Sequence, residues 1–244
     1  MKIVAIDEEG ERYIAELGKK FSTKFGQLDL AKHKRFGRIK SNTGHKFFIL
    51  PTSFADLFTK LRRGPQVILP KDAALIAAHT GVGPGDLVLD AGTGSGWLAA
   101  FLAHTVGPKG KIVTYETMPE FIKIAQHNFD FLGLGNVKIK NRDVYKKGFE
   151  EKGADLITLD LKEPWAVKGI DTALKVSGHV VAYCPQITQV QRFCAFVEKN
   201  KKLILERVVE VLERGWRIKG KVCRPVHQVL GHTGFLVFVR KVLK

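Results

Sequence analysis

Only 3 of the 244 residues are cysteine, and Cys184, Cys194 and Cys223 form neither a CxxC pair nor an even set. A disulfide-stapled secreted scaffold and a cysteine-based zinc site are thereby excluded. The three thiols are expected to be mostly buried, with a bridge between subunits as the other reading. Long apolar runs are missing too, since no stretch approaches the roughly 18 residues that a spanning helix needs. The N-terminal MKIVAIDEEGERY turns acidic where a secretory leader would need its apolar core. The expectation is a cytoplasmic protein that crosses no membrane. Acidic side chains are the third shortage: 24 Asp and Glu stand against 40 Lys and Arg, a formal net charge of +16. What the chain has in quantity is a 45% hydrophobic fraction and 24 glycines, enough to bury a sizeable core without a disordered-chain bias.

The basic excess is uneven. Residues 1–63 carry 14 basic and 7 acidic side chains, residues 64–165 carry 11 and 12, and residues 166–244 carry 15 and 5. A neutral centre between basic flanks suits a polyanionic partner gripped by the flanks while less charged chemistry proceeds between them. A lysine-rich, heat-adapted surface is the plainer reading, but such enrichment brings Glu along with Lys, and here Glu does not keep pace.

Residues 1–50 show short alternating runs, MKIVAI, GERYIAEL and HKFFIL, broken by Gly and by a lysine-rich stretch from Lys32 to Lys46, and predict a small β-rich unit. Phe54, Leu57, Phe58 and Leu61 have helical spacing, which predicts a helix from Thr52 to Arg63 linking two domains, divided as 1–62 and 63–244. From Gly85 onward apolar strands alternate with amphipathic helices: DLVLD, SGWLAAFLAHTV, KIVTYE, PEFIKIAQHNFDFLG, NVKIKN, ADLITLD, a short helix near Ala166–Lys175, HVVAYC, a helix near Thr188–Asn200, LILERVVEVL and GFLVFVRK. That alternation predicts an α/β fold with a doubly wound, mostly parallel sheet, whose ligands bind at the carboxyl ends of the strands.

The sharpest local feature is VLDAGTGSGW, in which Asp90 ends a strand and Gly92, Gly94 and Gly96 precede a helix. Glycines there allow a tight turn and close approach to a ligand, although steric needs alone can also place them. The next strand ends at Glu116, 20 positions after Gly96, where a carboxylate would bond a ribose diol. A nicotinamide dinucleotide and S-adenosylmethionine both carry such a ribose. The dinucleotide fingerprint GxGxxG sets its third glycine one residue later than here, so GxGxG favours the methyl donor. The third strand ends in Asn141, Arg142 and Asp143; Asp143 either lines the adenine side of the cofactor or caps the turn before Val144 and Tyr145. The fourth strand ends LITLDLKEPW, which puts Asp160 at the reactive edge as the candidate chemical residue.

DAGTGSG, the YE ending the second strand, LDLKEPW, the upstream RRGPQVILPKDAALI and the C-terminal RPVHQVLGHTGFLVFVRK together resemble the tRNA (adenine-N1)-methyltransferase family that modifies the T-loop. The resemblance spans residues 62–241 in ordered blocks; DAGTGSG alone fits many methyltransferases, whereas LDLxxPW with RxxQxxxPKD and HTGFLxF is far more specific. It implies a Rossmann-like class I methyltransferase sheet with a small basic N-terminal domain, S-adenosylmethionine as cofactor, tRNA as partner, adenine 58 as target with 57 as a further site, and a homotetramer. On matching positions it implies that Glu116 binds the cofactor ribose, that Asp143 and Val144 contact its adenine end, and that Gly92, Thr93, Gly94, Ser95, Gly96, Trp97 and Leu98 wrap its methionine moiety. Gln66 would sit close to the donor and Asp160 would face the target adenine. Two departures stand out: Trp97 replaces a smaller residue, and Lys162 stands in the first Pro position of LDLPxPW.

A carboxylate suits the implied chemistry. Attack of adenine N1 on a sulfonium methyl leaves positive charge spread towards the exocyclic N6, and a carboxylate accepting from N6–H stabilises it. N1 lies on the pairing edge, so the base must be turned out into a pocket. Tyr183, Trp165 and His232 are candidates for that pocket, against ordinary packing for the first two and a turn for the third. The other histidines show no ligand spacing, so no metal site is expected. Three alternatives remain open. An isoaspartate-type protein methyltransferase shares the GTGSGW turn but gives no reason for the charge. A non-catalytic RNA-binding subunit would be expected to lose some of these residues, and a nicotinamide oxidoreductase is disfavoured by the glycine spacing.

Overall fold

A computed structural model of the protein describes residues 1–31, 36–64 and 66–244. Lys32–Arg35, part of the lysine-rich stretch, and Pro65 of the RRGPQVILPKDAALI block lie outside the described residues. The chain divides into two compact units, Met1–Leu61 and Arg62–Lys244.

The first unit contains β1 (Lys2–Asp7), β2 (Arg12–Glu16), β3 (Lys20–Thr23), β4 (Gly26–Asp29), β5 (Gly37–Lys40), β6 (Lys46–Pro51) and α1 (Phe54–Phe58). β2-β1-β6-β5 form one antiparallel sheet and β3-β4 a hairpin. Period-two alternation sends Phe47 and Ile49 inward with Ile3, Ala5, Leu28 and Leu30, while Phe48 and Leu50 stay exposed. The helix predicted over 52–63 is only α1. Ser53 and Asp56 build a reciprocal capping box at its start, Ser53 Oγ accepting from the Asp56 amide at 3.2 Å and Asp56 Oδ2 from the Ser53 amide at 2.9 Å. At the other end the Thr59 hydroxyl bonds back to the Asp56 carbonyl at 2.9 Å, and the Lys60 and Leu61 amides reach carbonyls only three residues back. These local bonds compete with helix continuation and turn Leu61 into a buried position.

The second unit contains α2 (Pro70–Thr80), β7 (Leu87–Ala91), α3 (Trp97–Val106), β8 (Lys111–Glu116), α4 (Pro119–Leu132), β9 (Val137–Asn141), α5 (Val144–Lys147), β10 (Ala154–Leu159), α6 (Ile170–Ala173), β11 (Leu174–Cys184), α7 (Ile187–Lys199), β12 (Leu203–Glu210), β13 (Trp216–Lys219), β14 (Val222–Pro225) and β15 (Phe235–Lys241). Its main sheet has the order β12-β15-β11-β10-β7-β8-β9. β9, β8, β7, β10 and β11 pair in parallel, and β15 runs antiparallel to β11 and β12. Helix-covered central strands explain the near-continuous burial of β7 and β10. α7 buries Val190, Phe193 and Val197, spaced three and four apart on one face. The chain winds outward from β7 to β9 and returns to β10, so the order reverses between β7 and β10. A crevice opens there at the carboxyl ends.

The fold adds two elements that the sequence patterns did not announce, α2 and the β13–β14 hairpin, and lengthens the predicted HVVAYC strand. α2 starts with Pro70 at its first turn and stops at Gly81 in the left-handed region. β11 begins at Leu174, where helix was expected, and Leu174 pairs with Ala154 ahead of a register shift between Ala154 and Leu156. The β13–β14 hairpin stands between β12 and β15, turning at Gly220 (φ 59°). The expectation of mostly buried thiols holds for Cys184 but not for Cys223, which is exposed on that hairpin; Cys194 is half-buried. Among the described residues no helix is long and apolar enough to cross a membrane.

Candidate active site

Gln66, Gly92, Thr93, Gly94, Ser95, Trp97, Leu98 and Asp160 line one narrow cleft, joined by Asp90. The backbone there is tightly threaded. The Asp160 amide donates to the Ala91 carbonyl at 2.9 Å, and a Cβ on Gly92 (φ 90°) would lie 2.0 Å from the Asp160 carbonyl oxygen. At Gly96 (φ 78°), the N-cap of α3, a Cβ would meet the Phe129 ring at 2.8 Å. These two positions therefore require glycine. Asn128, buried on α4, supports the loop from behind: its amide nitrogen donates to the Ser95 carbonyl at 2.8 Å and the Arg62 carbonyl at 2.9 Å.

Three carboxylates converge on this edge. Asp90 is buried and accepts from the Thr114 hydroxyl at 2.7 Å and the Thr158 hydroxyl at 2.6 Å; burial pushes its carboxyl up to about 6 against the pull of those hydroxyls. Glu116 ends β8 and accepts from the Gly94 amide at 3.0 Å and from the Thr117 and Met118 amides at 2.8 and 3.0 Å. Asp160 sits just past β10, and its carboxyl is pushed up to about 7, first by burial and then by the negative charges of Asp90 and Glu116. A cationic ligand relieves this mutual repulsion, whereas an anionic pyrophosphate would add to it. One buried polar atom in the cleft, Ser95 Oγ, has no hydrogen-bond partner in the protein, and Trp97 and Leu98, the first residues of α3, line the same cleft. A sulfonium cofactor with an α-carboxylate matches this donor and acceptor set.

The remaining sequence-predicted residues divide. Trp97 is buried, its indole N–H donating to the Arg62 carbonyl at 3.1 Å and its ring lying under the Arg63 guanidinium at 4.8 Å. Asp143 caps α5, accepting from the Tyr145 and Lys146 amides at 2.9 and 3.3 Å, so the turn-capping role is real; its side chain is still 29% exposed. Val144 is buried behind it. Trp165 lies in a separate cavity of about 240 Å³ with Lys162, Gln186 and Arg192, whose guanidinium covers the indole at 5.5 Å. Tyr183 is buried on β11; its hydroxyl donates to the Thr233 carbonyl at 2.6 Å and feels Gln66 and Asp160. His232 is exposed, with Nδ1 2.5 Å from Glu210 Oε1 and Nε2 2.7 Å from the Pro185 carbonyl. Sequence reasoning left Asp90 outside the site; the signal was present, a carboxylate within an otherwise apolar strand. Thr114 and Thr158, its partners on neighbouring strands, had none.

A seven-stranded sheet in this order, with a GxGxG turn after its first strand and an acidic end on its second, defines an S-adenosylmethionine-dependent class I methyltransferase carrying a small N-terminal β-rich unit. The chain belongs to the family described as tRNA methyltransferase complex GCD14 subunit, which matches residues 46–223. It is 35% identical to a tRNA (adenine(57)-N(1)/adenine(58)-N(1))-methyltransferase of Methanocaldococcus jannaschii, over 96% of this chain and 93% of that one. Identity is also 35% to a tRNA (adenine(58)-N(1))-methyltransferase of Thermus thermophilus, over 84% and 81%. Among solved structures, a Thermotoga maritima protein titled a SAM-dependent O-methyltransferase superposes with a TM-score of 0.88 at 34% identity, covering 100% of this chain and 93% of that one. The tRNA (m1A58) methyltransferase of Aquifex aeolicus gives 0.81 at 28% identity, covering 100% and 98%.

Proposed function

We propose that the protein transfers a methyl group from S-adenosylmethionine to N1 of adenine 58, and of adenine 57 as a further site, in the T-loop of tRNA. The observation that carries this reading is the meeting of Asp90, Glu116 and Asp160 around the Gly92–Gly96 turn, an anionic cleft suited to a cationic donor. When bound, S-adenosylmethionine supplies an electrophilic methyl on sulfur. Gln66, the turn from Gly92 to Leu98 and Ser95 Oγ hold its methionine part, Glu116 accepts from its ribose hydroxyls, and Asp143 with Val144 borders its adenine. Trp97 contributes its place at the amino end of α3 more than its ring.

Asp160 accepts a hydrogen bond from N6–H of the target adenine, which raises electron density at N1 and stabilises the cation that forms on the ring. Its carboxylate form performs this task, so kcat/KM for the donor, which reports the free enzyme, rises as pH increases through about 7. The target base is turned out of its stack and received between Tyr183 and the Asp160 turn. Trp165 under Arg192 offers a stacking surface for neighbouring RNA. His232 acts at one remove, by bridging Glu210 and Pro185. Residues 63–244 are the catalytic domain in this reading. The basic 1–62 unit and the basic C-terminal third bind phosphates. The exposed Ile204, Leu205 and Val208 of edge strand β12 suit contact between copies in a homotetramer, a state that sedimentation of the native protein tests.

The test of the whole reading is methyl transfer from labelled donor to an unmodified tRNA transcript, followed by nucleoside analysis, in a cytoplasm-like buffer. N1-methyladenosine is expected, and a transcript with guanine at 57 and 58 is expected to yield none. Label appearing in protein and not in tRNA would overturn the assignment in favour of a protein acceptor.

A further inference from the structure

Three residues of two sequence blocks stay unused by this mechanism, Lys71 and Asp72 of PKD at the start of α2 and Thr233 of HTGF before β15, and the fold brings them together. Lys71 Nζ donates to Asp72 Oδ1 at 2.8 Å and Oδ2 at 3.0 Å, to the Val211 carbonyl at 2.8 Å and to Thr233 Oγ1 at 2.8 Å. The Thr233 hydroxyl in turn donates to Asp72 Oδ2 at 3.1 Å. Asp72 is fully buried and the Lys71 side chain is 9% exposed. Val211 directly follows β12 and Thr233 lies two residues before β15, so a single ammonium group holds both ends of the 211–234 arm that carries the β13–β14 hairpin.

The grip continues into the reaction site. The Thr233 carbonyl accepts from the Tyr183 hydroxyl at 2.6 Å. A Cβ on Gly234 would lie 2.6 Å from the Tyr183 ring, so only glycine permits this approach. The Tyr183 hydroxyl, kept protonated by burial with its pKa pushed up to about 12, is within the influence of Gln66 and Asp160. A buried ion pair adds little net stability, because desolvation offsets attraction. What this one supplies is direction, since each ammonium proton is committed to a fixed acceptor.

We propose that Lys71 and Asp72 are positioning residues for methyl transfer: they close the neck of the 211–234 arm and, through Thr233, set Tyr183 against Gln66 and Asp160. This rests on the reading of Asp160 as the group that faces the adenine. The arm is basic, with Arg214, Arg217, Lys219, Lys221 and Arg224 against Glu213 alone, so RNA held by the arm is registered at the pocket through the same neck.

Three variants test it: Lys71→Met, Asp72→Asn and the two combined. Each single change leaves one buried charge without its partner and lowers the melting temperature, whereas the double variant removes both charges and recovers it. The double variant is nevertheless expected to lose about 10- to 100-fold in kcat, the scale of a misplaced reacting group, with a smaller loss of S-adenosylmethionine affinity through Gln66. Amide exchange in peptides covering 203–241 and 180–185 is expected to quicken in the same variant, a readout that needs no tRNA. Recovery of kcat together with melting temperature would overturn the proposal and leave the pair a structural one. Unchanged exchange would also overturn it. Absence of methyl transfer by the native enzyme would instead defeat the functional reading, whatever the exchange result.

Discussion

The carboxyl edge of β7, β8 and β10 and the arm between β12 and β15 belong to the same unit and are built on opposite plans. At the edge, Asp90, Glu116 and Asp160 are packed among buried strands, with glycines allowing main chain to touch main chain. On the arm, Trp216, Ile218 and Val222 are exposed, and Arg217 stands directly opposite Arg224 across the hairpin. Like charges in that relation destabilise an isolated hairpin. In the proposed reading, the edge crowds negative charge to receive a cation and the arm crowds positive charge to receive a polyanion. On that reading each region tolerates internal repulsion that its proposed ligand would relieve.

The largest effect that separates the two is expected at Asp160. Asp160→Ala should lower kcat by about 100-fold or more, the scale of a lost electrostatic contact in a transition state, with donor affinity in equilibrium titration affected far less. The native kcat/KM for the donor should climb with pH through about 7, because protonation of the raised carboxyl in the free enzyme removes the acceptor. Asp160→Asn should show a flat profile. A native profile without that rise would detach Asp160 from the chemistry. Next in size, Glu116→Gln should weaken S-adenosylmethionine binding by about tenfold or more, as loss of charge-assisted hydrogen bonds does, and leave tRNA affinity in a filter-binding assay unaltered. Equal weakening of both ligands would mean that edge and arm are not separate.

The edge was far more legible in the sequence than the arm. Glycine spacing and strand-end acids announce themselves because the backbone at Gly92 and Gly96 admits no other residue and because a carboxylate in an apolar strand has few other uses. The parallel sheet followed from runs such as ADLITLD, buried on both faces. By contrast, the Trp216–Lys219 and Val222–Pro225 strands alternate weakly and bury almost nothing, so periodicity had no core to report. Thr233 accepts from Lys71, 162 residues away in the chain, a contact no local pattern encodes. Helix α1 was overestimated because apolar spacing continues to Leu61 although the backbone turns at Thr59.

On the arm itself, Arg217→Gln with Arg224→Gln should weaken tRNA binding several-fold at physiological salt and reduce the slope of log affinity against log salt by about 2 if both contact phosphate. The kcat at saturating tRNA should stay near native. An unchanged salt slope would show that the opposed arginines serve something other than RNA.

The smallest effect concerns the ring that bridges the arm's neck on its exposed side. His232 has an acceptor at each nitrogen, Glu210 Oε1 and the Pro185 carbonyl, and only the doubly protonated ring donates to both. Its pKa is accordingly raised above 6.5, chiefly by Glu210 and then by the Pro185 carbonyl, with Lys71 opposing. Because the folded value exceeds the unfolded one, the stabilisation is fully present below about 6.5 and is lost as pH rises through the folded value. An NMR titration of the His232 ring should therefore give a midpoint above 6.5, and Glu210→Gln should lower it. A native midpoint at or below 6.5 would mean that the ring does not bridge the two acceptors in solution, leaving Lys71 alone to hold the neck.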